Sequence, residues 1–455
     1  MKKQSTIALA FTLLSGTALS GCGSDGTAGT PGTPAAETKP APAAGDKPAE
    51  VKPFTVTLRH TQIGESKQAR LKILQDAVKE AESKVPGLKF ELDGVDSDVN
   101  RKEKLRAEMA AGNPPHIFDL FGGADTALYA KNGKLLELTD ILTELGLKDK
   151  FINLSEFSVD GKVYGLPIGG FQEGFFYNKK VFDTLAIKPP KTWSELEAVA
   201  KQVKDAGKTP FAMASKQAWV PLMTANTLWS RYAGPDITSG FAKGTAKWNS
   251  PEMAAAFGKY QEWVKKGYFP KGELGFEYAE QRNQLITGQA AMMYDGSWAS
   301  SVFKDPKQAG DMVGQVGYFP MPPVDGGKGD QTAVNAGFSN GYGFSANLKD
   351  NELKAVKAFI AAQYNEKMQL RGVIEDNVLP SMKIKPDGVD PLLKEIIDAG
   401  NNAKSTFPAF DALVQPDVNS ALSDGIQQLI SGVYDAQKML DKVQEAQDKA
   451  NRAAK

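Results

Sequence analysis

The sequence is poor in the residues that much protein chemistry needs. Its 455 residues include one cysteine and two histidines. A single thiol cannot form an internal disulfide or build a multi-thiolate zinc or iron–sulfur site. Two imidazoles leave little scope for His-rich metal catalysis. An excess of charge is also missing, since 54 Lys+Arg balance 54 Asp+Glu. Nucleic-acid binders ordinarily carry a basic patch and a high pI, so nucleic acid is not expected as a partner. No apolar run reaches the ~18 residues of a membrane-spanning helix. What is present is ordinary for a globular protein: 41% hydrophobic and 24% charged residues, enough for a large core. At roughly 100–200 residues per domain the length allows two to three domains. Neither a metal nor a cofactor is expected.

The lone cysteine has a specific place. Met1-Lys2-Lys3 precedes an apolar run from Ile7 to Leu19, followed by Leu19-Ser20-Gly21-Cys22. A positive start and an apolar segment of about 7–15 residues make a secretory signal. The end of that segment resembles the bacterial lipoprotein box, in which the cysteine becomes the first mature residue and carries lipid. Residues 1–21 are therefore expected to be a removed signal, with Cys22 as the lipid attachment point. Residues 22–53 are mostly Gly, Ser, Thr, Pro and Ala and read as a disordered, extended tether. The expected location is the extracytoplasmic face of the cell membrane, anchored but not spanning.

From residue 54 onward the chain alternates strand and helix patterns. Phe54, Val56 and Leu58 alternate as in a half-buried strand; Leu71, Leu74, Val78, Ala81 and Val85 follow at helical spacing; Leu88, Phe90 and Leu92 alternate again. Strand–helix–strand opens a βαβ unit with a parallel sheet. Thr192 with Glu195 forms a capping-box pattern ahead of a helix that Gly207 stops. Ala290–Tyr294 reads as a short buried strand, and Leu422 to Val443 as a long amphipathic helix or a pair. The fold class is α/β, in two lobes.

Several catalytic patterns are present in letters only. Gly337-Phe338-Ser339-Asn340-Gly341 matches G-x-S-x-G, but both histidines, His60 and His116, lie upstream and a strand pattern follows. Ser301 to Lys304 matches S-x-x-K without K-T-G or S-D-N partners. Asp93, Asp96 and Asp98 lack the spacing of a calcium-binding EF-hand loop. They read as a solvated loop. Paired carboxylates for glycoside hydrolysis are a three-dimensional property that spacing does not reveal.

Three segments carry a family resemblance. The first is Tyr164-Gly165-Leu166-Pro167, then Phe171 through Tyr177-Asn178-Lys179, then Pro190-Lys191-Thr192-Trp193. The second is Gly288-Gln289-Ala290-Ala291-Met292 through Gly296-Ser297-Trp298. The third is Ala110 to Ile117, where His116 replaces the family's usual Asp. Together they resemble the extracellular solute-binding proteins of the maltose-binding type, which serve sugar ABC importers. The resemblance covers nearly all of 54–445. It implies a periplasmic-binding-protein fold, type II-like, with discontinuous lobes joined by hinge crossovers: 54–168 and 326–378 in lobe 1, 169–325 and 379–455 in lobe 2. It implies a carbohydrate ligand held by lobe closure, membrane ABC permease subunits as partners, a monomer, and no catalysis.

Candidate ligand residues follow from these motifs and from sugar chemistry, in which aromatic faces stack on C–H faces and planar polar groups bind hydroxyls. Trp298 lies where the family places a stacking tryptophan, and Trp219 where relatives offer an aromatic. Phe171, Gln172 and Glu173 lie near the expected crossover, where hinge packing is the competing reading. Gln62 and Glu65 occupy the loop after the first strand, where α/β ligand loops belong. Gly337, Ser339 and Asn340 form a glycine-rich turn able to approach a ligand closely. Trp193, Trp229 and Trp263 read as core, Trp248 is open, and Arg231 either pairs internally or faces the cleft. Two other function classes remain at this level: a secreted glycan-active enzyme with two cleft carboxylates, and a surface lipoprotein that binds a non-sugar ligand or a protein.

Overall fold

The computed structural model describes residues 52–453; the expected signal, Cys22 and nearly all of the tether lie outside them. Two sheets organise the chain. The first contains β1 (Phe54–His60), β2 (Leu88–Gly94), β3 (Ile117–Phe121), β6 (Gly165–Pro167) and β12 (Asn340–Phe344), in the order β2-β1-β3-β12-β6. The second contains β7 (Phe171–Asn178), β8 (Thr209–Ala212), β9 (Ala290–Gly296), β10 (Val316–Phe319), β11 (Val334–Gly337) and β13 (Thr406–Phe407). Its order is β13-β11-β7-β9-β8, with β10 also paired to β7. A small ladder, β4 (Ser158–Val159) with β5 (Lys162–Val163), stands apart.

The opening βαβ unit forms as its periodicity requires. β1 pairs in parallel with β2 and β3, and the helix Gln68–Lys84 crosses between β1 and β2, burying Ile73, Leu74, Ala77, Val78 and Ala81. Leu71 and Val85 lie at the edge of that face. At Thr192 the hydroxyl accepts the Glu195 amide at 3.2 Å, while the Glu195 carboxylate reaches back to the Lys191 amide at 2.6 Å. The cap is thus one residue longer than the expected box. The strand Ala290–Gly296 is buried at every position, as a central strand covered on both faces must be. The C-terminus is a helix pair, Pro416–Ile430 and Ala436–Ala453.

Each lobe has its own core. Val56, Leu58, Leu74, Phe359 and Ile360 lie in the first; Trp229, Trp248, Trp263 and Phe257 lie in the second. Trp193 stacks on Trp263 with centroids 5.4 Å apart and planes 7° apart. Trp229 and Trp248 are fully buried, which places Trp248 in the core as well. Arg231, also buried, donates to the Ala333 and Met321 carbonyls at 2.7 and 2.9 Å, so it braces the interior of the second lobe.

The chain passes between the sheets at 168–170 and again at 338–339. Residues 334–337 pair with β7 and β13, so the stretch before 338 stands on the second sheet and not, as the sequence suggested from 326 onward, on the first. A short strand of Val, Asn, Ala and Gly carries no mark of the sheet it will join. A third passage lies beside the first, where Gly170 bridges Leu379 and Phe151 bridges Met382.

Candidate functional site

The second lobe presents an aromatic group at the junction. β7 and β9 pair so that Glu173 lies opposite Gly296, which sets Phe171 beside the turn that carries Trp298. Their rings are 5.9 Å apart. The Trp298 indole donates to the Tyr278 hydroxyl at 2.5 Å, and Tyr278 donates to Asp295 Oδ1 at 2.6 Å. Trp219 meets the Tyr278 ring edge-on at 4.6 Å. Trp298 and Trp219 are each only half-buried, although they flank a fully buried carboxylate, Asp295. Arg282 stacks on Tyr278, with its guanidinium carbon 4.2 Å from the ring centroid, and its Nε lies 3.5 Å from Asp295 Oδ2.

Across from this group the first lobe offers polar side chains at the C-terminal ends of its parallel strands, where α/β ligand sites form. Thr61 donates to Asp119 at 2.9 Å, Asn100 donates to the Asp119 carbonyl at 3.0 Å, and Lys67 donates to the Thr61 carbonyl at 2.8 Å. Gln62 Oε1 and Asn100 Oδ1 are buried acceptors without a partner among the described residues. Burial lowers the Lys67 pKa, and the charges of Arg70 and of Arg282 on the facing lobe lower it further. Burial pushes the Asp119 carboxyl up to about 6, against the pull of Thr61, Lys67 and Arg101. Glu173 lies well above the ordinary carboxylate range because it is buried, with Asp411 and Asp295 adding to the shift; Asn335 donates to it at 2.9 Å.

The sequence-derived candidates separate into those this junction gathers and those it does not. Phe171, Glu173, Trp219 and Trp298 share the second-lobe group. Gln172 points the other way, because alternate residues of a strand face opposite sides. Its amide donates to the Ile396 carbonyl at 2.9 Å and the Tyr318 hydroxyl at 3.2 Å, inside the lobe. Gln62 is buried in the first lobe, whereas Glu65 is exposed on a short turn. The Gly337–Ser339 turn does approach a carboxylate closely, but the carboxylate is the protein's own. Glu156 accepts from the Phe338 amide at 2.7 Å and the Ser339 hydroxyl at 2.5 Å, and a Cβ at Gly337 would crowd Glu156 Oε1. Ser339 is thereby committed, and Asn340 is exposed as the first residue of β12. Tyr278, Arg282, Asp295, Asn100 and Asp119 were not singled out from the sequence; their types are common, and only the junction joins them.

The remaining sequence patterns have local partners. Asp93 pairs with Arg59 at 2.8 Å, Asp96 caps the following turn, and Asp98 pairs with Lys102 at 3.1 Å. The Ser301 hydroxyl donates to the Trp298 carbonyl at 3.0 Å. Among the described residues no three of His, Cys, Asp and Glu are grouped to hold a metal ion, and no helix is long and apolar enough to cross a membrane.

The Trp219 segment depends on a buried acid. Glu273 accepts from the Ser215 hydroxyl at 2.7 Å, and the Ser215 amide donates to the Glu273 carbonyl at 2.8 Å. Burial drives Glu273 from 4.5 to about 7, against that hydroxyl. The unfolded chain therefore loses this proton first, and the stability the neutral acid contributes below about 4.5 is lost as pH rises through about 7. Glu273→Gln is expected to raise the melting temperature at pH 8 and to leave it nearly unchanged at pH 5. An equal shift at both pH values would contradict the assignment.

Residues 64–370 match the family model of the bacterial extracellular solute-binding proteins. The chain belongs to that family. Among solved structures, a chitin oligosaccharide binding protein is 46% identical, with a TM-score of 0.85 over 88% of this chain and 99% of that one. An uncharacterised ABC transporter extracellular-binding protein of Pyrococcus horikoshii is 30% identical over 50% of this chain. The multiple sugar-binding protein of Streptococcus mutans is 25% identical over 56% of it. The matched span covers 52% of the Pyrococcus protein and 60% of the Streptococcus one. The aromatic group stands on the second lobe and the polar strand ends on the first.

Proposed function

We propose that this protein is the carbohydrate receptor of an ABC importer, binding an oligosaccharide between its lobes and presenting the closed form to membrane permease subunits. The observation that carries this reading is the half-buried pair Trp298 and Trp219 on one lobe, with the unpartnered buried oxygens of Gln62 and Asn100 on the other. Flat apolar faces and unpartnered oxygens suit the C–H faces and hydroxyls of a neutral sugar. The likeness to a chitin oligosaccharide binding protein over nearly its full length supports a glycan of that class. The receptor acts as a lipid-anchored monomer, tethered through Cys22 on the extracytoplasmic face, and releases its sugar unchanged. Ligand binding to the folded state alone raises its stability by mass action. A panel of mono- and oligosaccharides, chitin oligosaccharides included, is expected to contain a sugar that raises the melting temperature and alters tryptophan fluorescence. No shift across the panel at millimolar concentration would sink the carbohydrate assignment, and hydrolysis products would favour an enzyme.

A further inference from the structure

Away from the aromatic group, Arg101 makes a charged contact between the lobes. Arg101 sits in a wide helical turn, where the Leu105 amide reaches back five residues to the Asn100 carbonyl; such turns recur at functional positions. Its guanidinium lies 3.6 Å above the Phe121 ring. Nε donates to Asp125 at 2.7 Å within the first lobe, Nη1 donates to Asp411 Oδ2 at 2.6 Å, and Nη2 donates to the Asp411 carbonyl at 2.9 Å. Asp411 lies on the short helix Phe410–Leu413. Phe410 packs in the second-lobe core, 5.8 Å from the Trp229 ring, and its amide donates to Asn226 at 2.9 Å. Next to this pair the backbones nearly touch, since a Cβ at Gly123 would overlap the Ala412 carbonyl.

We propose that Arg101 and Asp411 form a latch that populates the closed arrangement before any sugar arrives. Both partners are fixed within their own lobes, so opening must break the two bonds to Asp411 together. The planar fork of arginine suits this paired geometry. Nε and both terminal nitrogens donate to protein oxygens, whereas a sugar contact would direct one of them into the cleft. Apparent affinity scales with the fraction of receptor already in the competent state, so the latch tightens binding without touching the ligand.

The inference rests on reading the two lobes as a clamp, and its test needs no sugar. Spin labels at Lys131→Cys and Lys201→Cys, one per lobe, in the full chain with Cys22→Ser, report lobe separation by electron–electron distance measurement. In the sugar-free protein a short-distance population is expected. It should fall in Arg101→Met and in Asp411→Asn, and recover partly in Arg101→Lys. Any sugar found to bind should then leave Arg101→Met about tenfold faster. Unchanged distance distributions in both Arg101→Met and Asp411→Asn would overturn the latch. So would weaker sugar binding by Arg101→Met with sugar-free distances unaltered, which would make Arg101 a ligand contact. Should Arg101→Met fail to fold, Asp411→Asn, which keeps the shape of the side chain, decides the question. A panel in which no sugar binds, with the distances still responding, would remove the carbohydrate reading and leave the latch standing.

Discussion

Trp298→Ala is expected to weaken sugar binding by about a hundredfold, the effect of losing an aromatic anchor worth roughly 2–3 kcal/mol. The ring is half-buried, packs on Phe171 at 5.9 Å and holds the Tyr278 hydroxyl at 2.5 Å. Truncation therefore removes a stacking face and also frees Tyr278, which sits on Asp295. Little of the lobe's core depends on it, so the melting temperature of the sugar-free protein should change by only a few degrees. Titration calorimetry beside thermal melting separates the two roles. A large loss of stability with unaltered affinity would make Trp298 a core residue.

Trp229→Ala should do the reverse. This indole is fully buried among Trp248, Phe257 and Phe410, with centroids 5.4 to 5.8 Å away, and its N–H donates to Thr238 at 3.0 Å. Deleting a large aromatic from such a site leaves a cavity and costs about 3–5 kcal/mol. Thr238 would also lose its partner. The urea midpoint of the second lobe should fall accordingly. A change under about 1 kcal/mol would mean that the surrounding rings collapse to fill the space.

Local patterns led to much of this structure. Alternation in Phe54–His60, the helical stripe after it and the turn ending at Trp298 each report burial that residues within one turn or strand decide. The mistaken placements arise where a distant partner decides. Gln172 lies between two residues that face the junction, and strand alternation turns it inward. Gly337 and Ser339 carry the composition of a ligand turn, yet their partner is Glu156, far back in the chain. Val334–Gly337 joins the second sheet through Phe171 and Gln172, a pairing without local signature. Tyr278 and Asp295 are ordinary letters until the second sheet and its flanking helix bring them within hydrogen-bond reach. Arg101 and Asp411 stand on different lobes, 310 residues apart in the chain, and only the fold brings them together.

The interleaving of the chain between the sheets also bears on how the protein is made. β3 needs β12 on its open side, and β12 in turn holds β6. Until Asn340–Phe344 has left the ribosome, the first sheet stops at β3 and exposes an unpaired edge, with β6 unattached. The N-terminal lobe cannot complete itself while the chain is short, although its own βαβ unit comes first. Strands β7 to β11 of the second lobe are synthesised in the meantime, while β13 and the C-terminal helix pair of that lobe follow later. For an extracytoplasmic protein of this family the consequence is an order of completion: the lobe that begins first waits for a strand made almost three hundred residues later.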